Sequence, residues 1–422
     1  MAQRPLYDEI ETWPPARRQE YFDRKVREAV AHAYRQCPPV REKLDRAKVR
    51  PQDLRTTRDL EKVPVTTKDE LVRLQKERPP FGGFLGVPLD EVEKICISPG
   101  PLYEPEGRGE RLSVMVKWMK GAGVGPGDIV LNSFSYHLVP AGLWAHEAAL
   151  SLGAVVIPAG VGNTDLQVQI MKDLGVTVFS GTPSFLHTVI QRAEQQGLDI
   201  RRDFKLRKAF LGAEMYPPSL RKLFEETYGL DTRENYGTAD LGVLAFQCQA
   251  KAGLHIAEEN FVEVVDPQTG KQLGAGETGE VVVTPFYKTY PLLRFGTGDL
   301  SLYTDEACSC GRTSHRLVRI VGRVGQAVKV RGMFLQPWEL DQVMSRFPQV
   351  ARYQAVVSRE KQRDNLLLKL ELKDVVDQEL FTLALQKDIQ NLCRLKADQV
   401  EYVAPGTIPP TAKKIEDIRT WE

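Results

Sequence analysis

Apolar residues near the start of the chain recur at helical spacing. Tyr21, Phe22, Val26, Ala29, Val30 and Ala33 fall on one face of an α-helix, and Pro38-Pro39 predicts its end. From about Asp128 the pattern changes, and short β-branched runs alternate with amphipathic stretches. Strands are predicted in IVLNSF, AVVIPAG, VTVFSGTP and KAFLGAE. Helices are predicted in AGLWAHEAALSLG, LQVQIMKDLG, SFLHTVIQRAEQQG and SLRKLFEETYG. That alternation is the signature of a parallel sheet covered by helices. Several strands run into glycine or serine/threonine where the next helix begins, as in SGTPS and LGAE. Ligands tend to bind at such carboxyl ends of parallel strands.

After about Gly253 the texture becomes antiparallel. NFVEVVDPQTGKQLGAGETGEVVVTPF reads as a strand, a Pro/Gly-rich turn and a Val-rich strand. Beyond GRVGQAVKVRGMFLQP lies a segment of about 100 residues, enough for a small domain. The expected fold is α/β: a large multi-sheet N-terminal domain over 1–321 and a small, mobile α+β domain over 322–422. Gly322 and Gly325 offer a flexible point at the junction.

Composition narrows the partners. Across 422 residues, 57 Lys and Arg stand against 56 Asp and Glu, a formal net charge of +1. That balance gives no electrostatic reason to expect a nucleic acid or an anionic membrane. MAQRPLYDEIETW has no signal-peptide character, and no apolar run approaches the ~20 residues that span a bilayer. Six cysteines in this length are too few for a disulfide scaffold, so a cytoplasmic setting is expected.

Four segments carry the candidate chemistry. NYGTAD (Asn235 to Asp240) follows a helical pattern and has the composition of a ligand-contacting loop. YPLLRFGTGDLS places Asp299 after Gly296-Thr297-Gly298. VGRVGQAVKVRGMFLQP offers Arg323 and Arg331 beside glycines, and PPTAKKIEDIR offers Lys413 and Lys414. In this order, with GAEMYPP before them, the segments resemble the phenylacetate–CoA ligase family of adenylate-forming acyl-CoA synthetases. The resemblance runs from about Glu20 to the C-terminus. It implies an AMP-forming acid–thiol ligase that converts an aromatic or other carboxylic acid to an acyl-adenylate with ATP and Mg2+. The acyl group then passes to coenzyme A. Relatives of this kind also suggest a homodimer.

Roles follow position by position from the resemblance. Gly212, Ala213 and Glu214 would form the turn that contacts adenine, and Tyr236, between Asn235 and Gly237, would stack on the ring. Thr238 would bond the α-phosphate. Asp299 has enough lone pairs to accept from both ribose hydroxyls, and Arg323 would serve ribose and phosphate. Asp240 stands where the family usually has a glutamate as magnesium ligand. Lys414 would supply the catalytic ammonium, with Lys413 in reserve because the family's glycine before the lysine is missing. The small domain would turn about a hinge near Gly325. SFSYHLVPAGLWAHEAAL, with Phe134, Tyr136 and Trp144, resembles the region that holds the acid; Tyr136 is the leading contact, or else an aromatic packed between sheet and helix. His137 and His146 read as structural, because a carboxylate needs no general base at neutral pH.

One segment departs from the family. Where relatives carry a Ser/Thr/Gly-rich loop ending in lysine that cradles phosphates, Ile97 to Ser113 reads ISPGPLYEPEGRGERLS. Pro99, Pro101 and Pro105 remove backbone donors. Glu104 and Glu106 would repel a triphosphate, Arg108 and Arg111 would partly compensate, and Ser98 and Gly100 remain. Three outcomes stay open: a loop of different fold that still serves ATP, a regulatory paralogue that binds adenylates or CoA without adenylating efficiently, or a divergent member with another acyl substrate or an altered first half-reaction; adenylation with a non-CoA acceptor is a further alternative. Separately, Cys248 and His255 in CQAKAGLH and Cys308 and Cys310 in CSCGR supply the donors of a closed Cys3His structural zinc site. Reduced cysteines in a hairpin are the alternative, and His315 is a second option for the fourth ligand.

Overall fold

The computed structural model describes residues 6–98, 101–324, 328–331, 333–335, 337–360, 363–393 and 395–419. The chain forms two compact units. One runs up to Thr297 and includes Leu302–Arg319; the other comprises Gly298–Ser301 and the chain from Ile320 onward.

The first unit opens with α1 (Pro15–Gln36) and α2 (Pro38–Arg46). Val26, Val30 and Ala33 of α1 are buried, as the apolar stripe predicts. The proline pair ends α1 but also starts α2, because proline at the first helical position removes only an N–H that has no helical partner. After α3 (Lys68–Glu77), β1 (Val92–Ser98) and β2 (Leu102–Gly107) form a separate antiparallel hairpin. The main sheet then gathers β3 (Ile129–Asn132), β4 (Val155–Ile157), β5 (Val178–Gly181), β6 (Lys208–Leu211) and β7 (Asp231–Thr238) in the order 4-3-5-6-7, all parallel.

Its strands are apolar on both faces because both faces are covered. Val130, Val178 and Phe210 point into a core with Trp118 of α4 (Leu112–Gly121) and Trp144 of α5 (Ala141–Ser151). The alternate residues Leu131, Phe179 and Leu211 face the opposite core, against Met171 of α6 (Thr164–Asp173) and Leu186 of α7 (Pro183–Gln195). Beyond β7 the sheet continues through β8 (Gly242–Gln247), β9 (Leu254–Ile256), β13 (Arg316–Arg323), β12 (Phe295–Thr304), β11 (Gly279–Pro285) and β10 (Asn260–Val265), to eleven strands. β7, β8, β9 and β13 pair antiparallel, as do β10 and β11.

The second unit holds the hairpin β14 (Val328–Val330) and β15 (Met333–Leu335). It also holds a four-stranded sheet of β16 (Val350–Glu360), β17 (Arg363–Leu372), β18 (Gln399–Val403) and β19 (Ile415–Asp417) in the order 18-17-16-19. Leu340 and Val343 of helix Pro337–Met344 and Leu385 and Ile389 of helix Gln378–Cys393 pack on Ala355, Val357, Leu368 and Leu370. Among the described residues, no helix is long and apolar enough to cross a membrane.

Candidate active site

β6 and β7 end side by side and deliver two of the motif segments. Gly212 follows β6, and a Cβ there would lie 2.5 Å from Asn235 Oδ1, so any larger residue would displace the Asn235 side chain. Ala213 is left-handed with φ 66°, and Glu214 accepts from the Ser184 N–H at 2.6 Å and the Ser184 hydroxyl at 3.0 Å. Glu214 thereby anchors the turn to the first residues of α7.

NYGTAD is expected as a loop after a helix; instead Asn235–Thr238 complete β7. A register shift between Tyr236 and Gly237 bends the strand end, and a Cβ at Gly237 would meet the Gly242 carbonyl at 2.4 Å. Tyr236 is buried and its hydroxyl donates to Thr297 Oγ1 at 3.1 Å. Thr238 Oγ1 accepts from the Leu241 N–H at 3.3 Å, which closes the turn that presents Asp240.

Asp240 is buried and held from two sides. The Arg111 guanidinium donates at 2.9 Å to each of the Ala239 and Asp240 carbonyls. Lys68, the first residue of α3, puts its ammonium 3.3 Å from Asp240 Oδ2.

The segment that departs from the family is the hairpin β1–β2. Cys96 pairs with Glu104 and Ser98 with Leu102, so Cys96, Ser98, Leu102 and Glu104 share a face, and all four are buried. Two expectations are corrected here. Glu106 is neutralised internally: Lys94 Nζ lies 3.2 Å away and Trp144 Nε1 donates to it at 2.8 Å. Arg111 is not a free counter-charge for phosphate, because it is buried and committed to the Asp240 turn. Arg108 stays exposed, while Pro99 and Gly100 lie outside the described residues. Glu104, 1% exposed, faces both Ser98 and Asp240. Burial, and then the Asp240 charge, push its carboxyl up to about 8.

Asp299, Arg323 and Lys414 belong to the second unit. Arg323 Nε sits 3.0 Å from Asp299 Oδ1, and the Val324 N–H donates to the Gly298 carbonyl at 2.7 Å. Lys414 Nζ contacts both Asp341 oxygens, and Lys413 is exposed. Gly325, the expected hinge, lies outside the described residues.

Tyr136 is half-buried just beyond β3. Its hydroxyl accepts from Asn132 Nδ2 at 2.6 Å and meets His146 Nδ1 at 3.2 Å, with the two rings edge-on. Phe134 and Trp144, grouped with it by sequence, are instead part of the core around Trp118.

The four metal-ligand candidates come together from the loop after β8, strand β9 and the β12–β13 loop, with all four ligand atoms within 4.8 Å of one another. Cys248 and Cys308 sulfurs are 3.7 Å apart, and Cys310 Sγ is 3.3 Å from His255 Nε2. Two thiolates on a tetrahedral zinc, each at about 2.3 Å, would sit roughly 3.8 Å apart. His255 Nδ1 meets Ser314 Oγ at 3.1 Å, which fixes the ring with Nε2 turned to the cluster. Hydrogen bonds from Cys248 and His255 and the Arg312 N–H hold the Cys310 thiol far below the usual cysteine range. The donor set fits a structural zinc ion. His315 is excluded from the cluster and stacks on Tyr303, its ring 5.2 Å away.

Residues 111–285 match the AMP-binding enzyme family, and residues 332–419 match the AMP-binding enzyme C-terminal domain. The chain is 34% identical over 379 residues to phenylacetate-coenzyme A ligase of Thermus thermophilus, spanning 87% of this chain and 84% of that one. It is 32% identical over 381 residues to phenylacetate-coenzyme A ligase of Escherichia coli, spanning 87% and 85%. The chain belongs to the phenylacetate–CoA ligase family. Its structure also superposes, with a TM-score of 0.91 and 26% identity over 99% of this chain and 95% of the other, on an open conformation of 2-hydroxyisobutyryl-CoA ligase in complex with 2-HIB-AMP and CoA.

Within this phenylacetate–CoA ligase family member, sequence reasoning missed Lys68 and the inward turn of Glu104. Lys68 follows Thr67, whose hydroxyl accepts from the Glu70 N–H and caps α3. That cap is visible in TTKDE, but nothing in the spacing indicates that it faces Asp240, 172 positions away.

Proposed function

We infer that the protein is an AMP-forming acid–CoA ligase that activates a carboxylic acid as its acyl-adenylate and transfers the acyl group to coenzyme A. The observation that carries this reading is identity above 30% to phenylacetate-coenzyme A ligases across most of both chains. In the first half-reaction a carboxylate oxygen bonds to the α-phosphorus of ATP and pyrophosphate leaves. In the second, the CoA sulfur bonds to the acyl carbon and AMP leaves.

Individual roles are part of the proposal. The turn from Gly212 to Glu214 and Tyr236 receive adenine; the bare backbone at Gly212 supports this. Thr238 and Lys414 meet the charge that develops on the α-phosphate, where placed donors act most strongly. Asp299 and Arg323 take the ribose, supported by an ion pair that already orients both. Asp240 would hold magnesium, supported by its carboxylate, a hard oxygen donor, at the turn beside Thr238. Magnesium, when bound, shields phosphate charge. Cys248, His255, Cys308 and Cys310 would hold zinc with no open position, so it clips two loops and takes no part in acyl transfer.

The acid is proposed to lie beside Tyr136, whose ring is fixed by Asn132 and His146 and suits an aryl partner. The family reading also suggests a homodimer and a cytoplasmic setting. ATP–pyrophosphate exchange across aryl and short aliphatic acids, followed by CoA thioester assay, tests the function. Exchange with at least one acid, and a thioester only when CoA is present, is expected. AMP binding with no exchange for any acid would reject it, and exchange with no CoA thioester would assign another acceptor.

A further inference from the structure

The cysteine cluster holds its four donors unequally. Cys248, His255 and Cys310 are buried, whereas Cys308 is partly exposed. Cys310 Sγ is engaged by His255 Nε2 at 3.3 Å and by the Arg312 N–H at 3.4 Å. Cys248 and Cys308 face each other, sulfur to sulfur, at 3.7 Å. A disulfide needs about 2.05 Å, so the two atoms are one short movement from a covalent bond.

The remaining thiols are protected. Cys37, Cys96 and Cys393 are buried, and burial is the chief cause that pushes them up to about 12, 11 and 12. Little of the thiolate, the form that reacts with oxidants, is left there at neutral pH. A cysteine that ligates zinc is already a thiolate. Of the six cysteines, Cys308 alone is both a ligand candidate and open to solvent.

We propose that Cys308 and Cys248 form an oxidative-modification site for a peroxide, and that the disulfide they make expels the zinc. The Cys308 sulfur attacks one peroxide oxygen and the O–O bond breaks. The sulfur keeps an OH as a sulfenic acid, and the other oxygen leaves as hydroxide, which takes a proton to become water. The Cys248 sulfur then attacks the Cys308 sulfur. The S–S bond forms, and the hydroxyl leaves as a second hydroxide and becomes water in the same way. The two thiolates lose two electrons and the peroxide gains them. Only Cys310 and His255 then remain for zinc, too few for a closed tetrahedral site. Cys310 also loses the metal beside Arg312, whose side chain holds Glu11, so oxidation unpins the N-terminal segment. The expulsion rests on the zinc reading above; the sulfur chemistry does not.

The test treats the purified full chain with hydrogen peroxide, reads released zinc with a chromogenic chelator and maps thiols and disulfides by mass spectrometry. One zinc should leave per Cys248–Cys308 disulfide formed, while Cys37, Cys96 and Cys393 stay reduced. Dithiothreitol with added zinc should restore the metal. Proteolysis near Trp13 should quicken as zinc leaves. Cys248→Ser, checked for folding by a thermal melt, should instead accumulate a sulfenic acid at Cys308 that dimedone labels. Zinc retained until the buried scattered cysteines oxidise, or zinc lost without this disulfide, overturns the proposal. A chain purified without zinc that still forms the disulfide would remove the zinc reading and keep the oxidation site.

Discussion

The ammonium of Lys414 lies 2.6 and 2.7 Å from the two carboxylate oxygens of Asp341. Both side chains are about half exposed, at 49% and 46%, so the pair is screened by water. Such pairs contribute ~0–1 kcal/mol. The contact therefore parks Lys414 without locking it.

Replacing Lys414 by Ala should lower ATP–pyrophosphate exchange by ~100–1000-fold, the usual cost of losing one placed donor to a charged transition state. Thioester formation from a supplied acyl-adenylate should stay within a few-fold of wild type. Asp341→Asn, by contrast, should change exchange by no more than ~5-fold, the equivalent of ~1 kcal/mol. Equal losses in both half-reactions for Lys414→Ala would remove the assigned role.

Glu104 makes a prediction about pH. Its carboxyl is raised from 4.5 to about 8 in the folded chain. Between those values the unfolded chain releases a proton that the folded chain keeps. Stability from this group is therefore full below about 4.5 and declines as pH rises toward 8. In metal-free buffer, Glu104→Gln should melt at a higher temperature than wild type, with a gap that widens from pH 5 to pH 8 by several °C, on the order of 1–2 kcal/mol. A gap independent of pH would contradict the buried, neutral acid.

The cysteine cluster predicts about one zinc per purified chain, measurable by elemental analysis, and its loss in Cys310→Ser. The variant should also loosen the N-terminal segment. The Arg312 N–H donates to Cys310 Sγ at 3.4 Å, and the Arg312 side chain holds Glu11 at 2.5 Å. Faster proteolysis near Trp13 and a melting temperature lower by ~5 °C or more are expected. Wild type that carries less than one zinc per few chains would refute the site.

Asp299 and Arg323 separate binding from stability. The Arg323 side chain is 59% exposed, so its pair with Asp299 adds less than ~1 kcal/mol to folding. Asp299→Ala should leave the melting temperature within ~2 °C and raise KM for ATP by ~100-fold, with a smaller change in kcat. Unchanged KM would show that the carboxylate does not receive the ribose.

Periodicity and motif order made much of this molecule legible. The alternation of short apolar runs with amphipathic stretches is local, so it marked β3 to β6 and their helices without tertiary information. Cys248, His255, Cys308 and Cys310 were readable by donor chemistry alone, but only their convergence separates His255 from His315. Burial and pairing across the fold are another matter. Glu104 and Glu106 look alike in sequence, and which of them is neutralised depends on Lys94 and Trp144, which pack beside only one. Phe134, Tyr136 and Trp144 likewise share one short segment, yet only Tyr136 is spared from the core.

The family, the α/β layering and the residue types available for chemistry follow from local pattern and from motifs in order, so they are legible in one dimension. What the altered segment Ile97 to Ser113 does with its charges depends on packing in three. A carboxylate's role is set by the partners and water around it, and those arrive from β7, α3 and α5, far away along the chain. A segment that reads as repulsive to phosphate thereby becomes a hairpin with one carboxylate neutralised and the other turned toward Asp240.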